Sequence, residues 1–138
     1  MRWGDGVARA NINPRKFTID LLSSLAPGAN VGSALDPSLT NDTVKPKLPF
    51  LGVGIDGREP GDVVAGWLVR VQVWGLNPNP VDDMSQELEQ KVLATELPAT
   101  IDSISPVAWY PATTDKRTGL QVGSFTIRIR ARYGEPIK

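Results

Sequence analysis

The side chains best suited to catalysis are missing from this chain of 138 residues, which contains no cysteine and no histidine. Composition alone therefore excludes a disulfide, a zinc–thiolate site, an iron–sulfur cluster and any catalytic triad built on histidine. An enzyme that uses only carboxylates or lysine stays open. No residue presents itself as catalytic, so we expect no enzyme and no cofactor.

One glycine motif has the spacing of a nucleotide-binding loop. Gly52, Gly54 and Gly57 form G-x-G-x-x-G in "GVGIDG". In a dinucleotide fold these glycines open a helix whose N-terminus holds the pyrophosphate. Here Pro60-Gly61 follows and rules out such a helix. The motif instead predicts a strand, Leu48–Ile55, that runs into a turn at 56–62.

Acidic residues cluster in the second half of the chain, where Asp82, Asp83 and Glu87 stand close together. Carboxylates are ligands for Mg²⁺, and Asp102 and Asp115 are conceivable additions to such a site. Their spacing matches no known metal loop, and acidic side chains are favoured near the start of a helix in any case. We therefore expect no metal site.

The stretch "SFTIRIRARYG", Ser124–Gly134, alternates with period two and predicts a strand with one apolar face. Arg128, Arg130 and Arg132 share the opposite face, and Arg70 lies on the polar face of another long strand. Neighbouring arginines repel each other unless acid lies opposite them. We expect them to meet acidic side chains of the same sheet or of the next subunit. Water, a subunit interface and nucleic acid remain three alternative surroundings for this row.

The overall charge weighs against nucleic acid. Lys and Arg number 15 and Asp and Glu also number 15, so the formal net charge is zero. Proteins that bind phosphate backbones usually carry a basic excess. A local basic patch remains compatible with this balance. A net charge of zero also means that copies of the protein repel each other little, which suits a protein that assembles.

Further candidates for contact with a partner lie outside the arginine row. Trp3 belongs to residues 1–10, which predict either a frayed terminus or an extended arm that packs on a neighbour. Trp74 falls on the strand face opposite a row of valines, where a large aromatic side chain is typical of protein contact. Lys116 and Arg117 stand at the tip of a hairpin, Thr113–Gly119, that is either solvated or a contact loop.

The positioning elements follow from periodicity and from turn residues. The pattern predicts a single domain over 1–138. Its first half begins with a helix from Asn13-Pro14 to Pro27-Gly28, followed by a short strand within Ala29–Asp36, a polar loop Pro37–Pro49, and strands Leu48–Ile55 and Val63–Gly75. Its second half has a helix capped by Asn79 and ending at Leu97-Pro98, a strand Ala99–Ala112 broken at Pro106, and the arginine strand. Long strands joined by tight turns indicate an α+β fold, a mostly antiparallel sheet with two helices packed on one face. No apolar run approaches the roughly 20 residues of a membrane span.

Four segments carry a resemblance to a known family. They are "LLSSLAPGANVG" at the end of the first helix, the strand "WLVRVQVWG", the helix "DDMSQELEQKVLATEL" and the closing hairpin "VAWYPATTDKRTGLQVGSFTIRIRARYG". In order and length they resemble the tail terminator proteins of long-tailed bacteriophages, whose fold is shared with tail-completion and tail-tube proteins. The resemblance covers Phe17–Tyr133 and rests on pattern and order of elements, not on an invariant motif.

The resemblance implies a structural virion protein at the head-proximal end of the tail, assembled in the host cytoplasm. Such a protein forms a ring, usually a hexamer, which caps the tail tube of major tail protein, ends its polymerisation and offers a surface to the head-closure or neck protein. DNA passes through the lumen without being read, and no catalytic residue carries over. Another head–tail connector, such as a head-closure or tail-completion protein, is the nearest alternative, and a nucleic-acid-binding module is a third.

Overall fold

The computed structural model describes residues 12–33, 47–59 and 64–132. The helices and strands along these ranges are α1 (Pro14–Leu25), β1 (Asn30–Gly32), β2 (Phe50–Glu59), β3 (Val64–Gly75), α2 (Pro78–Leu93), β4 (Ile101–Thr114) and β5 (Gln121–Arg132). Neither helix in the described ranges is long and apolar enough to cross a membrane.

Proline and asparagine define where both helices begin. Asn13 caps α1, as predicted, and its side chain accepts hydrogen bonds from the backbone N–H groups of Arg15 and Lys16, each at 3.1 Å. In α2 the predicted cap, Asn79, is wrong, because Pro78 already begins the helix. Asn77 occupies the N-cap position, but its side chain makes no capping hydrogen bond. Prolines are tolerated there because first-turn N–H groups have no partner within the helix. The helix ends at Leu93, short of the predicted Leu97.

The sheet has five strands in the order β1-β2-β3-β5-β4. β1 pairs parallel with β2, and every other pairing is antiparallel. β3 and β4 therefore run parallel to each other on either side of β5, and α2 connects them by crossing over the sheet. The predicted α+β class with a mostly antiparallel sheet is confirmed.

Both helices pack on one face of the sheet, also as predicted. α1 contacts β1, β2 and β3, α2 contacts β3, β4 and β5, and the helices contact each other. Alternate residues of β3 and β5 form the core beneath them and are fully buried, notably Val69, Val71, Val73, Phe125, Ile127 and Ile129. The alternation recognised in the sequence is therefore the one that the folded sheet uses.

One side of α1 is buried against the sheet. Thr18 and Leu22 are fully buried, whereas Phe17, Leu21 and Leu25 pack at the margin of the core. Thr18 is tolerated inside because its hydroxyl donates to the carbonyl of Pro14 at 2.7 Å.

β2 extends beyond the predicted strand end at Ile55. The register shifts between Ile55 and Gly57, so that Asp56 is an extra residue on this strand. After that bulge, pairing with β3 continues through Gly57, Arg58 and Glu59. The turn predicted for 56–62 is therefore wrong in its first four residues. The remainder of that range, residues 60–62, lies outside the described residues.

Candidate interaction surface

The helix-free face of the sheet carries the predicted arginines together with acidic partners. Arg128 on β5 donates from Nε to Oε1 of Glu59 at 2.6 Å. Arg70 on β3 pairs through Nη2 with Oδ2 of Asp56 at 3.0 Å. For these two arginines the expected acid is found in the same sheet, on β2. We call these four residues, together with Arg130, the charged strip.

Glu59 lies between two arginines because a glycine leaves room for it. A Cβ added to Gly66 would come within 3.2 Å of Glu59 Oε1 and 3.6 Å of Arg130 Cγ, so both side chains cross over Gly66. The exposed Arg130 borders a cleft of about 410 Å³ that Glu59, Val64, Gly66 and Asp102 also line. The strip therefore alternates in charge and is not a uniformly basic surface.

Several predicted contact residues lie outside the described residues. This holds for Trp3 and the proposed arm 1–10, for most of the loop Pro37–Pro49, and for Tyr133. Arg132 is described only as a strand residue whose backbone pairs with Val64. The arginine row is thus established in the structure for Arg128 and Arg130.

Trp74 points away from the valine row, as predicted, but it is not exposed. Its side chain is 7% exposed and packs with Leu120 into a small second cluster that Leu48, Phe50 and Val122 border. Its indole Nε1 is buried and has no hydrogen-bond acceptor in the described part of the chain. The indole ring therefore lies inside the subunit rather than on an open surface.

The β4–β5 hairpin ends in a turn that is held by hydrogen bonds of Asp115. The Asp115 carboxylate accepts from the Thr118 hydroxyl at 2.6 Å and from the Thr118 backbone N–H at 3.0 Å. The hydroxyl bond is the main cause that lowers the pKa of Asp115. Gly119 adopts φ 73°, a left-handed conformation that suits glycine, and donates to the Asp115 carbonyl. Thr118 and Leu120 are buried in this turn, whereas Lys116 is exposed.

The carboxylate of Asp82, weighed above as a metal ligand, has a structural role. Its Oδ1 accepts from the backbone N–H of Ala112 on β4 at 2.7 Å. One turn later on the same helix, the buried Ser85 hydroxyl accepts from Nε1 of Trp109 at 3.0 Å. These bonds attach α2 to the edge strand. In the ranges 12–33, 47–59 and 64–132 no group of three or more carboxylates is placed to hold a metal ion.

The candidate residues fall into two places rather than one. The charged strip lies towards the end of the sheet where β3 begins, since Arg130 pairs with Gly66. Trp74 pairs with Val122 near the other end, where Lys116 and Arg117 also stand at the hairpin tip. The sequence did not single out the exposed apolar side chains Leu76, Val107 and Tyr110, which are 56%, 43% and 58% exposed. Leu76 follows directly after the last residue of β3, and this position was the feature of the sequence that could have identified it.

Comparison with known proteins adds no relative: no family model matches the chain, and no curated protein matches it.

Proposed function

We propose that this protein is a structural subunit that assembles into a ring, and that the ring acts as the terminator of a bacteriophage tail. The proposal rests on the sequence resemblance and on the absence of cysteine and histidine, two common catalytic residue types. It is supported by an α+β fold in which both helices lie on one face of the sheet. In such a subunit the helix-free face of the sheet is available for contacts with neighbouring subunits.

The observation that carries the proposal is the charged strip. Its arginines alternate with carboxylates, and Arg128 and Arg70 are paired at 2.6 and 3.0 Å. Alternating charges on a protein surface determine how a partner is oriented and which partner is chosen more than they raise the affinity. The edge strand β4 extends this surface, with Val107 and Tyr110 exposed on it. Such a surface suits contact with a neighbouring subunit.

The same pairing weighs against a nucleic-acid-binding module. An arginine already neutralised by a carboxylate releases little counterion when it meets a phosphate. The zero net charge of the whole chain also weighs against such a module. We expect no mobility shift of duplex or single-stranded DNA, even at low salt, and a salt-dependent shift would favour the module instead.

The mass of the purified protein in solution tests the ring, by native mass spectrometry over a range of concentrations. We expect a closed oligomer of defined number, with six subunits as the family resemblance implies. Electron microscopy with tail tubes then tests the terminator role, because rings should sit at one end of each tube and stop its growth. A strict monomer that never joins a tube refutes the proposal. Rings that bind only capsids assign the protein to the connector class.

A further inference from the structure

The opposite charges of the charged strip are arranged by strand. Asp56 and Glu59 lie on β2 and form an acidic column, whereas Arg128 and Arg130 lie on β5 and form a basic column. β3 lies between these two strands and pairs with both of them. Because neighbouring strands are about 4.8 Å apart, the two columns start from backbones at equal distances on either side of β3. The strip is therefore symmetric in position about β3 and opposite in charge.

The first level of the two columns is at Gly66. Glu59 and Arg130 pair with Gly66 from opposite sides, and the side chains of both cross over it. The side chain of Glu59 is 43% exposed despite its bond to Arg128, and Arg130 is exposed. Both charged groups are therefore accessible to a partner, above a glycine that adds no side chain of its own.

The second level of the two columns is at Leu68, two residues further along β3. Leu68 pairs with Arg128 on one side and with Gly57 on the other, and Gly57 directly follows the bulge residue Asp56. The side chains of Asp56 and Arg128 are 33% and 29% exposed, so each keeps accessible surface beyond its bond within the sheet. Each arginine of the basic column thus lies level with a carboxylate of the acidic column.

We propose that two copies of this protein pair through the charged strip, about a two-fold axis that runs above β3 and parallel to it. Half a turn about this axis exchanges the positions of β2 and β5 and leaves each level at the same height. Glu59 of each copy then faces Arg130 of the other, and Asp56 faces Arg128. An isologous contact requires a patch that is complementary to itself in this way.

The arrangement of the two columns identifies the occupant as a second copy. Strands of one sheet cannot face each other across a gap, so the contact joins two molecules. A partner of uniform charge, such as a nucleic acid, attracts one column and repels the other. A surface with the same two columns in reversed order matches both of them, and the rotation about β3 makes a second copy present that surface.

This pairing goes beyond the proposed function, because it holds for a protein that forms pairs alone. A two-fold contact closes on itself, so a ring requires a second, different contact between pairs. Six subunits then consist of three pairs. The failure of the ring and the failure of the pair can therefore be observed separately.

Exchange of charge between two variants tests the two-fold geometry. Arg130→Glu and Glu59→Arg each place like charges opposite each other twice, so each variant alone should have a dimer dissociation constant at least about tenfold higher, measured by sedimentation equilibrium. In an equimolar mixture every glutamate faces an arginine again, and we expect mixed pairs with close to the original affinity. Native mass spectrometry identifies these pairs by their mass. Glu59→Arg mixed with Arg15→Glu, which lies on α1, is the matched control and should give at least about tenfold fewer mixed pairs.

A cross-link provides a second test that leaves the charges in place. The chain has no native cysteine, so Leu68→Cys introduces a single thiol close to the proposed axis. Sheets that pack face to face lie about 10 Å apart, so a bismaleimide of that span should join Leu68→Cys to its own counterpart. Val107→Cys on β4 is the control. It lies two strands from the axis, hence roughly 19 Å across the sheet from its counterpart, and should not be joined.

The remaining outcomes overturn the inference or assign the failure to the ring. Oligomers that form while the mixture of variants recovers no pairing, with Leu68→Cys not cross-linked, show that the strip meets a different surface. A monomer at all concentrations refutes both the pair and the ring. Pairs that recover in the mixture but never form larger oligomers support this inference and refute the ring.

Discussion

Asp82 fastens the edge strand β4 to α2 through one hydrogen bond from the Ala112 N–H, at 2.7 Å. Replacing the carboxylate by a methyl group leaves that part-buried N–H without its acceptor. We expect Asp82→Ala to lower the free energy of unfolding by about 1–3 kcal/mol. Urea denaturation followed by tryptophan fluorescence measures this change.

The neighbouring Asp83 provides the matched control for this variant. It lies on the same helix and is exposed. Asp83→Ala removes the same charge but no bond to β4, so the free energy of unfolding should change by less than about 0.5 kcal/mol. Equal losses in the two variants would show that charge near the start of α2, and not the bond to Ala112, is responsible.

The hydrogen bonds in the hairpin turn affect how Asp115 titrates, and this gives a testable prediction. The hydrogen bond from Thr118 holds the pKa of Asp115 below its ordinary value. A carboxyl whose pKa is lower in the folded protein stabilises the fold above the unfolded pKa, and this contribution disappears as the pH falls through the folded pKa. Thr118→Val keeps the shape of the buried side chain but removes the hydroxyl.

The expected result of Thr118→Val is therefore a rise in the pKa of Asp115, which NMR titration of its carboxyl carbon measures. The acid-side loss of stability that Asp115 causes in the native protein should become smaller in this variant. Thr113→Val changes an exposed threonine nearby on β4 and should leave the titration of Asp115 as it was. An unchanged Asp115 pKa in Thr118→Val would contradict the assigned cause.

At the level of elements, Gly75 allows α2 to approach the end of β3. A Cβ at this position would lie 2.7 Å from Cγ2 of Val81, a buried and stiff β-branched side chain. Gly75→Ala must therefore displace the first turn of α2, and we expect a loss of about 1–3 kcal/mol in unfolding free energy. Chemical denaturation monitored by circular dichroism provides the measurement.

Gly54 on β2 offers the opposite case in the same sheet. A Cβ there would meet no atom within 4 Å. Gly54→Ala should be neutral or stabilise the protein by up to about 1 kcal/mol, because alanine restricts the unfolded chain. If both variants lose equal stability, the loss comes from replacing glycine in a strand and not from the contact with Val81.

The elements that the sequence predicted well are those with local signals. The cap at Asn13 and the alternation in β3 and β5 depend on residues within a few positions of each other, and both are observed. The extent of β2 was missed because the extra residue Asp56 breaks the period of two. The start of α2 was misplaced because two Asn-Pro pairs offer the same signal two residues apart.

The candidate interaction surface was only partly predictable, because its contacts join residues that are far apart in the sequence. An acidic partner for the arginine row was expected, but its identity depends on register, since Arg128 and Glu59 are 69 positions apart in the chain. Trp74 was assigned to the correct face. Its burial depends on Leu120, which only the fold of the hairpin turn brings to it. Contacts between distant residues carry no signal in a single sequence.

For the whole molecule, Arg130 is the residue through which the proposed assembly is best tested. It is exposed at a cleft that also contains Glu59 and Asp102. Arg130→Glu places a third carboxylate there, and like charges at a contact cost several kcal/mol. We expect the fraction of ring to fall at least tenfold at a fixed protein concentration, as native mass spectrometry measures.

A second charge reversal controls for the change in net charge. Arg15→Glu alters the exposed side of α1 by the same two charge units and should leave assembly unaffected. Urea denaturation of both variants establishes that each is folded. If a folded Arg130→Glu variant forms normal rings, the charged strip is not part of the interface between subunits.

The irregular edge of the sheet has a consequence for solubility. β4 is an edge strand of 14 residues, and its pairing with β5 is interrupted by three register shifts. Pro106 and Pro111 stand within it and lack the N–H groups that an incoming strand would need. A kinked edge of this kind is a poor template for further strands, which disfavours edge-to-edge pairing of subunits through β4.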